Sequence, residues 1–309
     1  MTRIELNSKQ NALCNKKCNK QLRKSVTEND LCTMVTSVDD GLPVRCVGEW
    51  AEKKIYLLSQ YFGIFSEGMK NNWELNYIEI CSGPGRCIIR TNGSEIDGTA
   101  LCILKHKSFK NIKKAMFFDY NKNVIDVLNQ RIEQIGVTNA KAIFADYNKA
   151  EELCSIIESE TLPTSLNLIF IDPTDCSVPF ELIKKIKKTI PRVDFIINVA
   201  TGSDFNRNIP MAFQNEERAK KYEKFLGNDL FFKDLTNIEL YERSKFPILR
   251  EKFRSTYQNS LKKCGINLFD IELVEHYYDI LFAASNQRAL EFWNKATKKI
   301  KYDGQRSLF

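Results

Sequence analysis

The chain has 309 residues, 43% apolar and 28% charged, the balance of a globular protein with room for one large domain or two ordinary ones. Forty-six Lys and Arg against 39 Asp and Glu leave a net charge of +7, compatible with a nucleic-acid partner and equally with a Lys-rich coding bias. Met1–Gln10 is polar and no apolar run approaches the roughly 18 residues of a membrane span, so the expectation is a cytoplasmic protein with no membrane association and its ten cysteines reduced.

Residues 1–43 read as an N-terminal extension, polar and Lys/Asn-rich through Thr27. Cys14 and Cys18 share a helix face at i, i+4, and Cys32 and Cys46 follow, but these spacings match no common zinc module, so no metal is expected. Residues 44–309 read as one domain. A helix begins at Trp50, with Ala51, Lys54, Ile55, Leu58, Tyr61 and Phe62 on one face and Gly63 at its end. Next comes Asn76–Gly85, NYIEICSGPG, a buried strand running into a glycine turn with Glu79 near its end. Gly83 and Gly85 tolerate positive φ and lack a Cβ, which lets a flat ligand approach the backbone.

Arg86–Asp97 reads as a polar insertion, and Gly98–Phe109 as helical. Ile112–Tyr120 is the second strand, ending in Asp119; Val124–Ile135 is an amphipathic helix; Ala140–Asp146 is the third strand, again ending in an acid. Helix Glu151–Glu158, strand Leu166–Asp172, helix Phe180–Thr189 and strand Val193–Val199 complete an alternation typical of a mostly parallel sheet with helices on both faces. A polar helical excursion is expected over about 206–262. Leu268–Glu275 and Tyr277–Ala284 are expected to pair antiparallel at the sheet edge, before a helix over Leu290–Ile300 carrying Trp293 inward.

Glu79, Asp119, Asp146 and Asp172 thus stand at the ends of four successive strands, where ligands of doubly wound sheets sit. A carboxylate accepts two hydroxyl hydrogen bonds and so suits a ribose diol. There is no phosphate-cradling G-x-x-x-x-G-K-[ST], and Glu79 beside the turn opposes a pyrophosphate. A zwitterionic nucleoside, S-adenosyl-L-methionine, has the matching profile. His106 and His276 sit in no ligand spacing and read as structural.

The strand-E-x-x-x-G-P-G, the Asp119 and Asp146 strand ends and Asp172-Pro173 resemble motifs I to IV of class I methyltransferases. More narrowly, the Trp50–Phe65 helix, YIEICSGPG, GSEIDGTAL, FFDYN, FADYN, FIDPTD and YYDILFAASNQRALEFW…GQRSLF resemble the three-Cys-motif partner (TcmP) family, from about residue 42 to the C-terminus. The resemblance implies an α/β, Rossmann-like class I methyltransferase fold and a partner protein that carries the three cysteines. It makes Glu79, Ser82, Gly83, Pro84 and Gly85 contacts of the methionine end. Asp119 with Tyr120 would meet the ribose, Asp146 with Tyr147 the adenine, and Asp172 and Pro173 the methyl-accepting atom.

Methylators of exocyclic amines carry D-P-P-[YF], and the family pattern is D-P-[aromatic]-G; this chain has Asp172-Pro173-Thr174-Asp175-Cys176, without the stacking aromatic. Cys176 invites a thiolate mechanism, but no Pro-Cys pair precedes it, and a packed thiol is expected. Thr174, Asp175, Asn198 and Arg207 are candidate substrate contacts. Arg207, Arg218, Lys220, Lys221 and Lys224 could track DNA or RNA phosphates or simply face solvent. The expected activity is methyl transfer to a nucleic acid, an exocyclic amine favoured. The alternatives are a cofactor-binding subunit without its own activity and a protein or small-molecule methyltransferase.

Overall fold

A computed structural model describes residues 27, 28, 30–274 and 277–306, with side chains described through residue 298. Cys14, Cys18 and His276 lie outside them. The chain divides into two compact units. One holds the described residues through Asn71 together with Tyr77–Ala145; the other holds Asn72–Asn76 and the described residues from Asp146 on.

In the first unit β1 (Thr27–Glu28) and β2 (Leu31–Cys32) form a short antiparallel pair. Strand β3 (Arg45–Val47) is followed by α1 (Trp50–Met69). This helix buries Ala51, Leu57, Leu58, Tyr61, Phe62 and Phe65, so Leu57 and Phe65 take inward places the spacing gave to Lys54 and Ile55. It also runs through Gly63, where the His106 ring packs so closely that a Cβ would lie 3.0 Å from it. One helical glycine costs only about 1 kcal/mol, less than this packing returns.

Strand β4 (Leu75–Ile80) is buried throughout. The expected polar insertion is instead β5 (Arg86–Ile89) and β6 (Glu95–Asp97), joined to β3 in a three-stranded sheet. Its apolar run, Cys87-Ile88-Ile89, is too short to read beside charged neighbours. Pairing decides it: Arg45–Val47 lie parallel to Cys87–Ile89. Arg86 is compensated by Asp39 at 2.5 Å and Glu95 at 2.7 Å. Leu31 packs with Val124 and Val127, and Val35 with Val44 and Ile88, so residues from Leu31 on contribute to the core of this unit.

Helix α2 (Thr99–Leu104), a 3-10 turn (Lys107–Asn111) and β7 (Ile112–Asp119) come next. His106 Nδ1 accepts from the Ser108 N–H within this turn, and burial lowers the imidazole pKa. Helix α3 (Lys122–Ile135) turns Val124, Ile125, Val127, Leu128 and Ile132 inward, and β8 (Ala140–Phe144) pairs parallel with β7.

The second unit continues with α4 (Ala150–Glu160), β9 (Leu166–Ile171), α5 (Phe180–Thr189) and β10 (Val193–Val199), which lies parallel to β9. A π-turn (Thr201–Phe205) leads into α6 (Asn206–Gln214), α7 (Glu216–Leu226), α8 (Leu235–Glu242) and α9 (Phe246–Lys263). The polar helical excursion expected over about 206–262 is divided into several helices by caps at Asn215, Gly227 and Asp234. These helices are polar outside only. Phe205 stacks on Phe253 at 3.9 Å, Phe225 on Tyr257 at 4.6 Å, and Tyr222 and Phe231 close the aromatic cluster edge-on.

Strands β11 (Leu268–Val274) and β12 (Tyr278–Ala284) pair antiparallel, and β12 pairs antiparallel with β10, as the edge hairpin was expected to do. On α10 (Gln287–Arg306) Trp293 stacks on Phe282 and donates to Asp270 Oδ2 at 2.7 Å.

The seven-stranded sheet runs β8-β7-β4-β9-β10-β12-β11 and is mostly parallel. Counting its strands in chain order gives 3-2-1-4-5-7-6, a doubly wound order that closes with a reversed hairpin.

Candidate active site

In the first unit the glycine turn folds the chain back sharply. Cys81, Gly83 and Gly85 have φ of 66°, 67° and 90°, three left-handed residues in five. The atom nearest to where a Cβ on Gly83 would stand is Arg45 Nη1 at 3.6 Å, so the face of this glycine is open to a close ligand. Gly85 differs: a Cβ there would lie 2.9 Å from Leu128 Cδ1 and 3.0 Å from Leu101 Cγ. Gly85→Ala is therefore expected to destabilise the protein by about 2–4 kcal/mol, backbone strain adding to overpacking. A denaturant midpoint equal to wild type would show that the turn relaxes instead. The Ser82 N–H donates to the Phe118 carbonyl at 3.0 Å, while Ser82 Oγ is buried with no hydrogen-bond partner among the described residues.

Glu79 is fully buried on β4, with Tyr77 Oη donating to it at 2.7 Å and Thr99 Oγ1 donating to its other oxygen. Asp119, at the end of β7, is 5% exposed and accepts from the Gly83 N–H at 3.1 Å and the Asn121 N–H at 3.0 Å. Burial raises its pKa, and those two N–H groups with the Arg45 charge offset only part of the rise. Each oxygen still has a lone pair for a hydroxyl. Tyr120 is half exposed and donates to Asp30 Oδ2 at 2.9 Å.

Sequence reasoning missed Arg131. It lies on the apolar face of α3, 1% exposed, and donates to the Pro84 carbonyl at 2.6 Å and to both Asp40 oxygens at 2.8 and 3.1 Å. Burial alone would raise the Asp40 pKa, but Arg131 pulls it below the ordinary value. The readable signal was its place seven residues after Val124, an inward position of the helix.

In the second unit Asp146 accepts from the backbone and side chain of Asn148, both at 2.9 Å, and Tyr147 Oη shares a hydrogen bond with Ser177 Oγ at 3.0 Å. Asp172 and Pro173 follow β9. The Asn198 amide nitrogen donates to Asp172 Oδ1 at 2.9 Å and to the Pro173 carbonyl at 3.0 Å. Two acceptors thus converge on one NH2 group, which also fixes the orientation of this amide: its nitrogen must face them, and its Oδ1 is left buried without a partner among the described residues. Burial, with the nearby Asp172 charge, raises the Tyr278 pKa.

The remaining substrate candidates separate. Thr174 and Arg207 are exposed. Asp175 pairs with Lys221 at 2.9 Å, and Lys221 also meets Asp204 at 2.8 Å. Buried Asp204 further accepts from the Cys176 N–H, Tyr222 Oη and Asn208 Nδ2. Asp175 therefore belongs to the network that holds the segment after Pro173. Cys176 is completely buried, and burial followed by the Asp204 charge raises its pKa well above the ordinary thiol value, the surroundings of a packed thiol. Native protein is expected to leave Cys176 unalkylated by iodoacetamide at neutral pH while denatured protein reacts; peptide mass mapping reads this directly. Among the described residues no group of three or more His, Cys, Asp or Glu could hold a metal, and no helix is long and apolar enough to cross a membrane.

No family model matches the sequence, and no curated protein is similar to it. The fold is similar to human methyltransferase-like protein 13, solved in complex with SAH, at 13% identity and a TM-score of 0.44, covering 81% of this chain and 91% of that one. It is also similar to protein LPL1258 from Legionella pneumophila at 10% identity and a TM-score of 0.44, covering 77% and 85%. A third likeness is to TYW2 of M. jannaschii, in complex with AdoMet, at 11% identity and a TM-score of 0.36, covering 77% and 76%. Likenesses this distant carry no function across. The resemblance to the TcmP family rests on the sequence motifs alone.

Proposed function

We propose that the protein is an S-adenosylmethionine-dependent methyltransferase whose acceptor is an exocyclic amine, with a nucleic acid as the favoured substrate. The observation that carries this reading is the convergence of the Asp172 carboxylate and the Pro173 carbonyl on a single NH2 group, supplied here by Asn198. Two acceptors so placed suit an amine with two N–H donors. They drain positive charge from the nitrogen as it forms its fourth bond, and Asp172 is placed to take the proton. Support also comes from the sheet order, in which a doubly wound core closes with a reversed edge hairpin, the arrangement of class I methyltransferases. The turn residues fit the cofactor: Gly83 leaves its face open, Ser82 Oγ lacks a partner among the described residues, and Asp119 retains lone pairs for a ribose diol. The bound cofactor would supply an electrophilic methyl group.

A second reading is a cofactor-binding subunit, without its own activity, of a three-Cys-motif partner protein. The favouring observation is the engagement of Asp175 by Lys221 where the methylators carry an aromatic. Calorimetry with S-adenosylmethionine comes first, since absence of binding removes both readings. Tritium transfer from labelled cofactor to DNA, tRNA or partner protein then separates them: label on a nucleic acid supports the first, and binding without transfer the second.

A further inference from the structure

We propose that the ion pair between Asp175 and Lys221 is a latch that keeps the acceptor segment, residues 172–176, in the shape that methyl transfer needs, both acting as positioning residues; this rests on the methyl-transfer reading above. The segment leaves β9 and is held along its length. Asn198 donates to Asp172 and to the Pro173 carbonyl, and Thr174 is exposed. Lys221 Nζ then meets Asp175 Oδ2 at 2.9 Å, and the Cys176 N–H donates to Asp204 Oδ2 at 2.9 Å. Lys221 also donates to that same Asp204 oxygen at 2.8 Å, so it ties the partly exposed Asp175 to a buried anchor. The anchor is well fixed. Asp204 lies in the π-turn, its N–H donates to the Ala200 carbonyl at 3.0 Å, and its other oxygen accepts from Tyr222 Oη and Asn208 Nδ2 at 3.1 and 2.8 Å.

The latch matters when the acceptor arrives. An amine that takes the place of the Asn198 NH2 displaces the hydrogen bonds that hold Asp172 and Pro173. The direction of the Pro173 carbonyl then depends on the residues that follow it, and those are held by Lys221 and Asp204. A shift of about 1 Å in a positioned group costs about 100-fold in rate, so a loose segment is expensive. Charge also argues against direct substrate roles for the pair. Burial alone would lower the Lys221 pKa, but Asp175 and Asp204 raise it above the ordinary value, so the ammonium is shared between two carboxylates. A lysine so committed has little attraction left for a phosphate, and Asp175 is already neutralised.

Steady-state tritium transfer by the full chain, to whichever of DNA, tRNA or partner protein accepts label from the wild type, tests this. Asp175→Ala strands no buried charge. It is expected to lower kcat roughly 10- to 100-fold while the acceptor KM, the calorimetric affinity for S-adenosylhomocysteine and the denaturant midpoint stay near wild type. Lys221→Met is expected to show the same fall, and Lys221→Arg, whose fork reaches both carboxylates, to restore most of it. Combining Asp175→Ala with Lys221→Met should be no worse than Lys221→Met by itself, since the two act as a unit. If Lys221→Met does not fold, Asp175→Ala and Lys221→Arg decide. A kcat near wild type in Asp175→Ala, or a raised acceptor KM with kcat retained, would overturn the latch and leave the transfer reading intact. So would a weaker salt dependence of the acceptor KM in Lys221→Met, the mark of a lost phosphate contact. A wild type that labels none of the acceptors would overturn both.

Discussion

Asp172→Ala is expected to lower methyl transfer by roughly 10²–10⁴-fold, the range for loss of a positioned proton acceptor, with cofactor binding retained. The geometry makes a sharper comparison available. In Asp172→Asn the amide can turn its oxygen to Asn198 and keep the 2.9 Å hydrogen bond, so the local structure survives. Its nitrogen then occupies the position of the second carboxylate oxygen and presents a donor to an incoming amine, which is itself a donor. Both variants should therefore lose transfer to a similar extent, although only the first disturbs Asn198. Tritium transfer to whichever of DNA, tRNA or partner protein accepts label from the wild-type protein, with calorimetric cofactor affinity as the control, measures this. Transfer within about tenfold of wild type in either variant would remove Asp172 from the chemistry, since a positioned acid or base is worth more than that.

The second large effect lies in stability. Arg131→Met is expected to destabilise the protein by about 1–3 kcal/mol, since Asp40 keeps Arg86 Nε at 3.4 Å as a cation while the hydrogen bonds of the Arg131 guanidinium are lost. Asp40 would lose both guanidinium bonds, and the Pro84 carbonyl would lose its donor in the middle of the glycine turn. Adding Asp40→Leu to Arg131→Met removes the weakened carboxylate and should restore only part of the loss, because Arg86 then gives up its 3.4 Å contact with Asp40. Chemical denaturation of the two variants checks this; equal stabilities would mean that Asp40 finds solvent once Arg131 is gone. The sign of the pH effect follows from the depressed Asp40 pKa. The pair contributes fully above the ordinary value of 3.8, and its contribution fades as pH falls below that through the lower folded-state value.

What the sequence made legible follows from how each signal arises. The alternating strands and helices from Ile112 to Val199 are long, periodic and apolar, so their pattern alone places them, and the edge hairpin is read the same way. The three-stranded sheet of β3, β5 and β6 was not legible, because strands of three or four residues are stabilised by partners far along the chain. The order Glu79, Asp119, Asp146, Asp172 is plain in the sequence, but the environment of each residue is not. Only the folded chain shows Glu79 sealed by two hydroxyls, Asp175 tied to Lys221, and Asp172 sharing one amide with Pro173. Arg131 was hidden for a different reason. Its inward place on the helix was readable, but the carboxylate that makes a buried cation tolerable lies 91 residues away and carries no mark in the sequence.

Strand β4 also governs how the protein can be dissected. Its first two residues and the three before them belong to the second unit, its remainder to the first. In the second unit the Leu166 N–H donates to the Glu74 carbonyl at 2.9 Å, and Asn76 Nδ2 to Asn167 Oδ1 at 3.0 Å. A fragment beginning at Asp146 would expose both groups at the start of β9, and one ending at Ala145 would carry an orphaned strand opening. Neither half is a natural unit for separate expression.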